Sequence, residues 1–194
     1  MGDEKVRVQR TRNYKPHRHL QSAAELALES AESERPGCYF DQLSAILLSA
    51  LALEAMGNTF GALLYDNWDD FESSSPIAKI RLVADKLDVV IDRTQEPWAA
   101  MPWLIKVRNR LAHGRPESVD FDKTMTRKEA DKIRYETPES KIEKEITLMN
   151  AKRACRVISQ IYDLLFEALP DDLQSDLFGD SWHGSISVVR PEEG

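Results

Sequence analysis

The stretch YFDQLSAILLSALALEAMGNTFGALLY, residues 39–65, decides the fold class of this chain. Its apolar residues recur at spacings of three and four, which predicts a long α-helix with a wide buried stripe. That stripe comprises Leu43, Ile46, Leu47, Ala50, Leu51 and Leu53. Asp41 is expected to cap the start of the helix. Gly57 and Gly61 near its end indicate either fraying or the close approach of another helix.

Further helical patterns lie on both sides of this stretch. They cover residues 20–33, 76–91, 97–113, 126–134 and 140–169. Ser75 followed by Pro76 is a typical helix start, and Pro102 must kink its helix or restart it. No segment alternates for long enough to predict a sheet. The fold class expected from these patterns is all-α, a bundle of four or five helices.

The pattern divides the chain into an arm, one domain and a tail. Residues 1–19 carry six Lys or Arg against two acidic residues and no helical stripe, so they are expected to form a basic flexible arm. That arm is either merely solvated or touches RNA or a partner. The domain spans residues 20–169, with a long connection over 115–138, and residues 170–194 form a tail that ends in either a short strand or a loose segment.

The composition of the chain argues against several classes of function. The net charge of -7 argues against broad coating of nucleic acid but allows a small basic site. Cys38 and Cys155 have no metal-type spacing and are expected to be reduced, mostly buried thiols of a cytoplasmic protein. No signal-peptide core is present, and the run 43–53 is too short and too polar to predict a membrane span. No phosphate loop or metal motif occurs, so neither a cofactor nor a metal is expected.

The second informative stretch is VRNRLAHGRP, residues 107–116. Between Trp98 and Pro116 there are four basic residues and no acidic one. Arg108 and His113 are five apart and differ by about 140° on an ideal helix, so they converge only where the helix ends, which Gly114 predicts.

The residue types of this stretch suit a phosphate. The planar guanidinium of arginine can donate two parallel hydrogen bonds to a phosphate. Histidine can act as general base or acid near neutral pH. Lys106, Arg110 and Arg115 are expected to contact RNA phosphates. Basic residues in the last turn of a helix are also favoured simply because they complement its dipole. Trp98 and Trp103 are expected to belong to the core rather than to stack on bases.

Arg108-Asn109 followed by His113 and Gly114 resembles the R-x(4–6)-H signature of the HEPN superfamily, a small all-helical domain. SAILLSALALEAMGNTF also resembles the long early helix of that family, with its embedded glutamate. The resemblance covers roughly residues 20–169 and implies a homodimer with two motifs facing one cleft. It implies a metal-independent endoribonuclease that cuts single-stranded RNA by attack of the 2′-OH, in a toxin–antitoxin or phage-defence role. Other members act as non-catalytic modules that bind nucleotide or protein.

Carried over from the family, each motif residue has an expected role. His113 would activate the 2′-OH or protonate the leaving oxygen, Arg108 would hold the scissile phosphate, and Asn109 would position phosphate or histidine. Glu54, on or beside the apolar stripe of its helix, either reaches solvent or pairs with Arg108 or Arg110 and orients the motif helix.

Overall fold

The computed structural model describes residues 6–33, 35–177 and 182–188, and 62% of it is helical. The described part contains seven α-helices: α1 (Pro16–Glu32), α2 (Cys38–Leu64), α3 (Pro76–Lys86), α4 (Met101–Ala112), α5 (Arg127–Lys132), α6 (Leu148–Glu167) and α7 (Asp171–Leu177). Two strands, β1 (Val6–Arg12) and β2 (Trp182–Val188), form one antiparallel sheet. Short 3-10 helices cover Trp68–Phe71, Trp98–Ala100 and Glu143–Glu145. The all-α prediction is confirmed at this level.

Helix α2 lies at the centre of the bundle. It packs against α1, α3, α4 and α6, and its fully buried side chains lie on about one half of its circumference, whereas the other half, with Leu47, Leu51 and Glu54, is only partly buried. The largest of them are Ile46, Leu53, Met56 and Phe60. The facing helices contribute Ile80 and Val83 from α3, Leu104 and Val107 from α4, and Val157, Ile158, Ile161 and Leu165 from α6. A wide apolar face that packs against several helices is the expected arrangement for a central bundle helix.

The two glycines near the end of α2 serve close approach rather than fraying. A Cβ at Gly61 would lie 2.3 Å from the Trp68 ring, and one at Gly57 would lie 3.0 Å from the Lys79 Cβ. The absence of both Cβ atoms therefore lets α3 and the buried indole of Trp68 lie directly against α2. Trp68 thereby anchors the acidic stretch 66–72 to the core.

Two helix starts agree with the sequence. Ser75 caps α3 by accepting a hydrogen bond from the Ala78 amide at 3.2 Å. The short helix predicted in the long connection is α5, which begins with a capping box formed by Thr126 and Glu129.

Three predicted helix limits are wrong. Asp41 does not cap α2, because that helix begins at Cys38 and Asp41 pairs with Arg35 at 3.0 Å. Helix α3 ends at Lys86 rather than near Ile91, and Asp88 then turns the chain with a left-handed φ of 56°. Helix α6 begins at Leu148 rather than Ser140, because Thr147 caps it by accepting from the Asn150 amide.

The predicted flexible arm over residues 1–19 is wrong in its described part. Residues 6–12 form β1, which pairs with β2 from Val6 opposite Val188 to Arg12 opposite Trp182. Helix α1 begins at Pro16, and His17, assigned to the arm, is fully buried in the bundle. The tail over residues 170–194 contains α7 and the strand β2. A short strand was one of the two predicted alternatives for the end of the tail. Strand pairing between the two ends of a chain depends on tertiary structure, so neither segment alone reveals it.

Of the helices in the described residues, α2 alone is long and apolar enough to cross a membrane by length and composition. Half of its most apolar window is buried inside the bundle. The same composition is expected of a central bundle helix, so the finding is weak as an indication of a membrane span.

His17 is held between the polar and aromatic groups around it. Its Nδ1 lies 3.1 Å from the Thr59 hydroxyl oxygen, and its ring stacks on Tyr162 with 5.7 Å between centroids. Burial lowers the pKa of His17 from 6.5 to about 4, and the positive charges of Arg18 and Lys15 act in the same direction. The imidazole is therefore neutral in the folded protein at physiological pH.

This burial predicts a pH-dependent stability. Between pH 6.5 and 4 the unfolded chain binds a proton at residue 17 that the folded chain does not, so the free energy of unfolding decreases as the pH falls through this range. The loss from this one group is about 3 kcal/mol and is complete near the lower limit. Urea titrations at a series of pH values measure it. His17→Phe, which keeps a ring against Tyr162, is expected to remove that slope, and an unchanged slope would contradict the assignment.

Candidate functional site

The motif helix α4 restarts the chain at a proline. The 3-10 helix Trp98–Ala100 leads into α4 at Met101, and Pro102 lies in the first turn, where its missing amide is tolerated. Pro102 therefore restarts the helix rather than kinking it, which is one of the two predicted alternatives. Met101, Leu104 and Val107 are buried against the core, which turns the polar side of α4 outward. Trp98 is also buried, as predicted.

Helix α4 ends at the histidine, as the motif predicts. Ala112 is its last residue, and His113 is the C-cap, with φ -124° and ψ 20°. The His113 amide still donates to the Asn109 carbonyl at 2.9 Å. A Cβ at Gly114 would lie 2.6 Å from the Arg110 carbonyl oxygen, so only glycine fits this turn without a shift of the backbone. The exposed imidazole therefore projects from the very end of the helix.

Arg108 lies on the other side of this helix end, against α2. Its Nη2 forms an ion pair with Oε2 of Glu54, and its Nη1 donates to the Asn109 side-chain oxygen at 2.9 Å. The side chains of Arg108 and Glu54 are 23% and 30% exposed, so both are largely shielded from water. The predicted contact between Glu54 and Arg108 is present, and the role of Glu54 in orienting the motif stays a prediction.

His113 and Asn109 line a broad open groove. The groove has a volume of about 1060 Å³ and is also bounded by apolar side chains, among them Ile77, Pro102 and Ile142. Its remaining lining includes Lys106, Arg110, Gly114, Arg115, Glu117 and Lys141. Arg108 is not part of this lining, because its guanidinium is directed toward Glu54. Within one chain the structure therefore brings His113 and Asn109 together in the groove and leaves Arg108 beside them on α2.

The cations of the groove differ in how far they are engaged. In the described part of the chain, Lys106 and Arg115 are exposed and form no ion pair. Arg110 donates to Oε1 of Glu145 at 2.6 Å, so only Lys106 and Arg115 of the three predicted phosphate contacts have unneutralised charge. Lys141, which the sequence did not single out, adds a cation that lies 3.8 Å from Glu117.

Glu145 is the positioning residue that the sequence did not reveal. It accepts from Arg110 through one oxygen and from the Trp103 indole N–H through the other, at 2.8 Å. The Trp103 ring also lies 4.9 Å from the Arg153 guanidinium carbon, so this indole serves structure, as predicted. Glu145 lies 35 residues after Arg110, in the segment before α6, and no local spacing links the two.

The sequence named no metal site, and over residues 6–33, 35–177 and 182–188 no group of three His, Cys, Asp or Glu side chains is arranged to hold a metal ion. The two cysteines are both free, as expected. Comparisons of the chain with protein-family models, with curated proteins and with solved structures give no match.

The pairing of Arg108 with Glu54 predicts a measurable coupling. In a double-mutant cycle of Glu54→Gln and Arg108→Gln, we expect about 1 kcal/mol of coupling in the free energy of unfolding, decreasing with added salt, because the pair is partly shielded. Chemical denaturation of the four proteins measures it.

Arg110 supplies the matched control for this cycle. It is two residues away on the same helix but pairs with Glu145. The cycle of Glu54→Gln with Arg110→Gln is therefore expected to show no coupling. Equal coupling energies in the two cycles would contradict the assigned pairing.

Proposed function

We propose that the protein is a metal-independent endoribonuclease of the HEPN type, acting on single-stranded RNA. The observation that carries the proposal is the placement of His113, an exposed imidazole at the end of α4, in a groove with the unpaired cations Lys106 and Arg115. A group that can transfer protons beside two charges that can bind phosphate is the minimum that RNA cleavage by an internal nucleophile requires.

The reaction can be written with this chain's own groups. His113 in its neutral form takes the proton of the 2′-OH, and the resulting oxygen attacks the adjacent phosphorus. The bond to the 5′-oxygen breaks, that oxygen leaves with a proton from an acid such as a second imidazolium, and the phosphate becomes a 2′,3′-cyclic diester. No water and no metal ion enters this step. Lys106, Arg115 and the Asn109 amide stabilise the charge on the phosphoryl oxygens.

The proposed active form is a homodimer. In one chain the Arg108 guanidinium and the His113 imidazole do not share the groove. A second copy related by a two-fold axis would supply the other histidine and a second arginine to one cleft. Light scattering of the purified protein tests this point. The cellular setting that we propose with it is cytoplasmic, with RNA as substrate and an antitoxin or other inhibitor protein as partner.

One observation favours a second candidate function, a non-catalytic HEPN-like module that binds nucleotide or protein. The Arg108 fork is already satisfied by Glu54 and Asn109, so a phosphate would have to displace one of them to reach it. In that case the groove would bind a nucleotide through Lys106 and Arg115 without cleaving it. Binding without cleavage distinguishes this candidate from the first.

Two variants test the enzyme. His113→Ala and the double substitution Lys106→Gln with Arg115→Gln are each expected to reduce cleavage of a fluorescent single-stranded RNA in EDTA by at least about 100-fold, because the first removes the proton transfer and the second the phosphate contacts. The products of the unaltered protein are expected to carry a cyclic phosphate, and a substrate with 2′-deoxy at the scissile position should resist.

Two exposed residues outside the groove serve as controls. Arg93→Gln with Lys128→Gln changes the same residue types and is expected to leave cleavage unaltered. Circular dichroism shows whether each variant remains folded. Cleavage that persists in the folded His113→Ala variant and in the folded Lys106→Gln, Arg115→Gln variant would refute the enzyme proposal.

A further inference from the structure

The strands β1 and β2 form a ribbon whose every described residue is exposed. Residues 6–12 carry Arg7, Arg10 and Arg12 and no acidic residue, and residues 182–188 carry none either. The ribbon thus concentrates positive charge on a protein whose net charge is -7. In the described part of the chain neither Arg7 nor Arg10 forms an ion pair, although acidic side chains are plentiful elsewhere.

The register of the ribbon places arginine and tryptophan on one face. Arg12 is directly opposite Trp182, and Arg10 is directly opposite Gly184, so these side chains share a face. A Cβ at Gly184 would lie 3.1 Å from the Arg10 Cγ, so the glycine leaves room for the Arg10 stem to cross β2. The Trp182 side chain remains 68% exposed beside them.

Aromatic rings continue this face toward the bundle. The Arg12 guanidinium carbon lies 5.4 Å from the centroid of Tyr14, and the Tyr14 ring stacks on His19 at 4.9 Å. Tyr14 is 57% exposed. The opposite face of the ribbon carries side chains that are able to form hydrogen bonds, namely Arg7, Gln9, Thr11, His183, Ser185 and Ser187.

We propose that the β1–β2 ribbon is a binding surface for single-stranded RNA, separate from the groove at His113. Arginines contact the phosphates, and Trp182 offers its ring to an unstacked base. Bases in a duplex are not free to stack on a side chain, so the exposed ring favours a single strand. The choice of RNA as ligand rests on the proposed function, whereas binding to the ribbon does not depend on cleavage.

The far end of the ribbon is apolar, which makes a protein partner the alternative ligand to RNA. Val6, Val8, Ile186 and Val188 share the face of Trp182 at the end remote from α1. A protein partner would use these residues. The arginines between them and the bundle favour RNA, because two like-charged β1 edges from two copies of the chain would repel each other.

The test uses the full chain carrying His113→Ala, so that the probe is not cleaved, and a short fluorescent oligouridylate in EDTA. The double substitution Arg10→Gln and Arg12→Gln, which removes both arginines on the face of Trp182, is expected to raise the Kd about tenfold. It should also lower the slope of log affinity against log salt by about 1.4, because each phosphate contact contributes about 0.7 on a single strand. Trp182→Ala is expected to raise the Kd by about five- to tenfold without changing the slope.

A matched control removes the same amount of positive charge from another part of the surface. Arg93→Gln with Lys128→Gln removes two exposed cations outside the ribbon and is expected to leave Kd and slope unaltered. If the Arg10 and Arg12 variant behaves like this control, the ribbon proposal is overturned. It is also overturned if the ribbon variants change the oligomeric state in light scattering while RNA affinity stays constant, which would assign the ribbon to a protein partner.

The two proposals fail in different ways. An unaltered protein that cleaves no RNA, with binding that still depends on Arg10, Arg12 and Trp182, refutes the ribonuclease and leaves the ribbon as an RNA-binding surface. Cleavage that depends on His113, with binding indifferent to these three residues, supports the ribonuclease and refutes the ribbon.

Discussion

The structure depends on the burial of the wide apolar face of α2. An apolar face that covers about half of a helix must be shielded from water by other helices, and α1, α3, α4 and α6 supply that cover. The small residues of α2 set how closely the neighbours approach. Gly57 and Gly61 are the extreme cases, since any side chain there would collide with α3 or with Trp68.

This burial also decides where the candidate site lies. Beyond its first turn, α2 carries one charged residue, Glu54. A carboxylate that leaves water loses free energy unless a cation and hydrogen bonds compensate it, and Arg108 of α4 does so here. The contact ties the motif helix to the core helix. It also pairs the Arg108 guanidinium with a carboxylate outside the groove, so the unpaired positive charge of the groove comes from Lys106 and Arg115.

The groove and the ribbon are two electropositive surfaces on an acidic protein. Net charge averages over the whole chain, whereas a phosphate responds to the charges within about 8 Å of it at physiological salt. The groove receives its cations from the end of α4 and the segments after it, and the ribbon from β1. An acidic remainder would disfavour indiscriminate attachment to nucleic acid and leave binding to these local sites.

The sequence by itself determined the helical class, the long core helix, the end of the motif helix at His113, the cap at Ser75 and the short helix near residues 126–134. These features depend on periodicity, turn chemistry and capping over a few residues, which are local properties. Only the tertiary structure decided that β1 pairs with β2 across the length of the chain, that His17 is buried, that Glu145 pairs with Arg110, and that Glu54 rather than solvent receives the Arg108 guanidinium. Each of these joins residues that are far apart in sequence or depends on which neighbour covers a surface, and side-chain spacing along one segment contains no information about either.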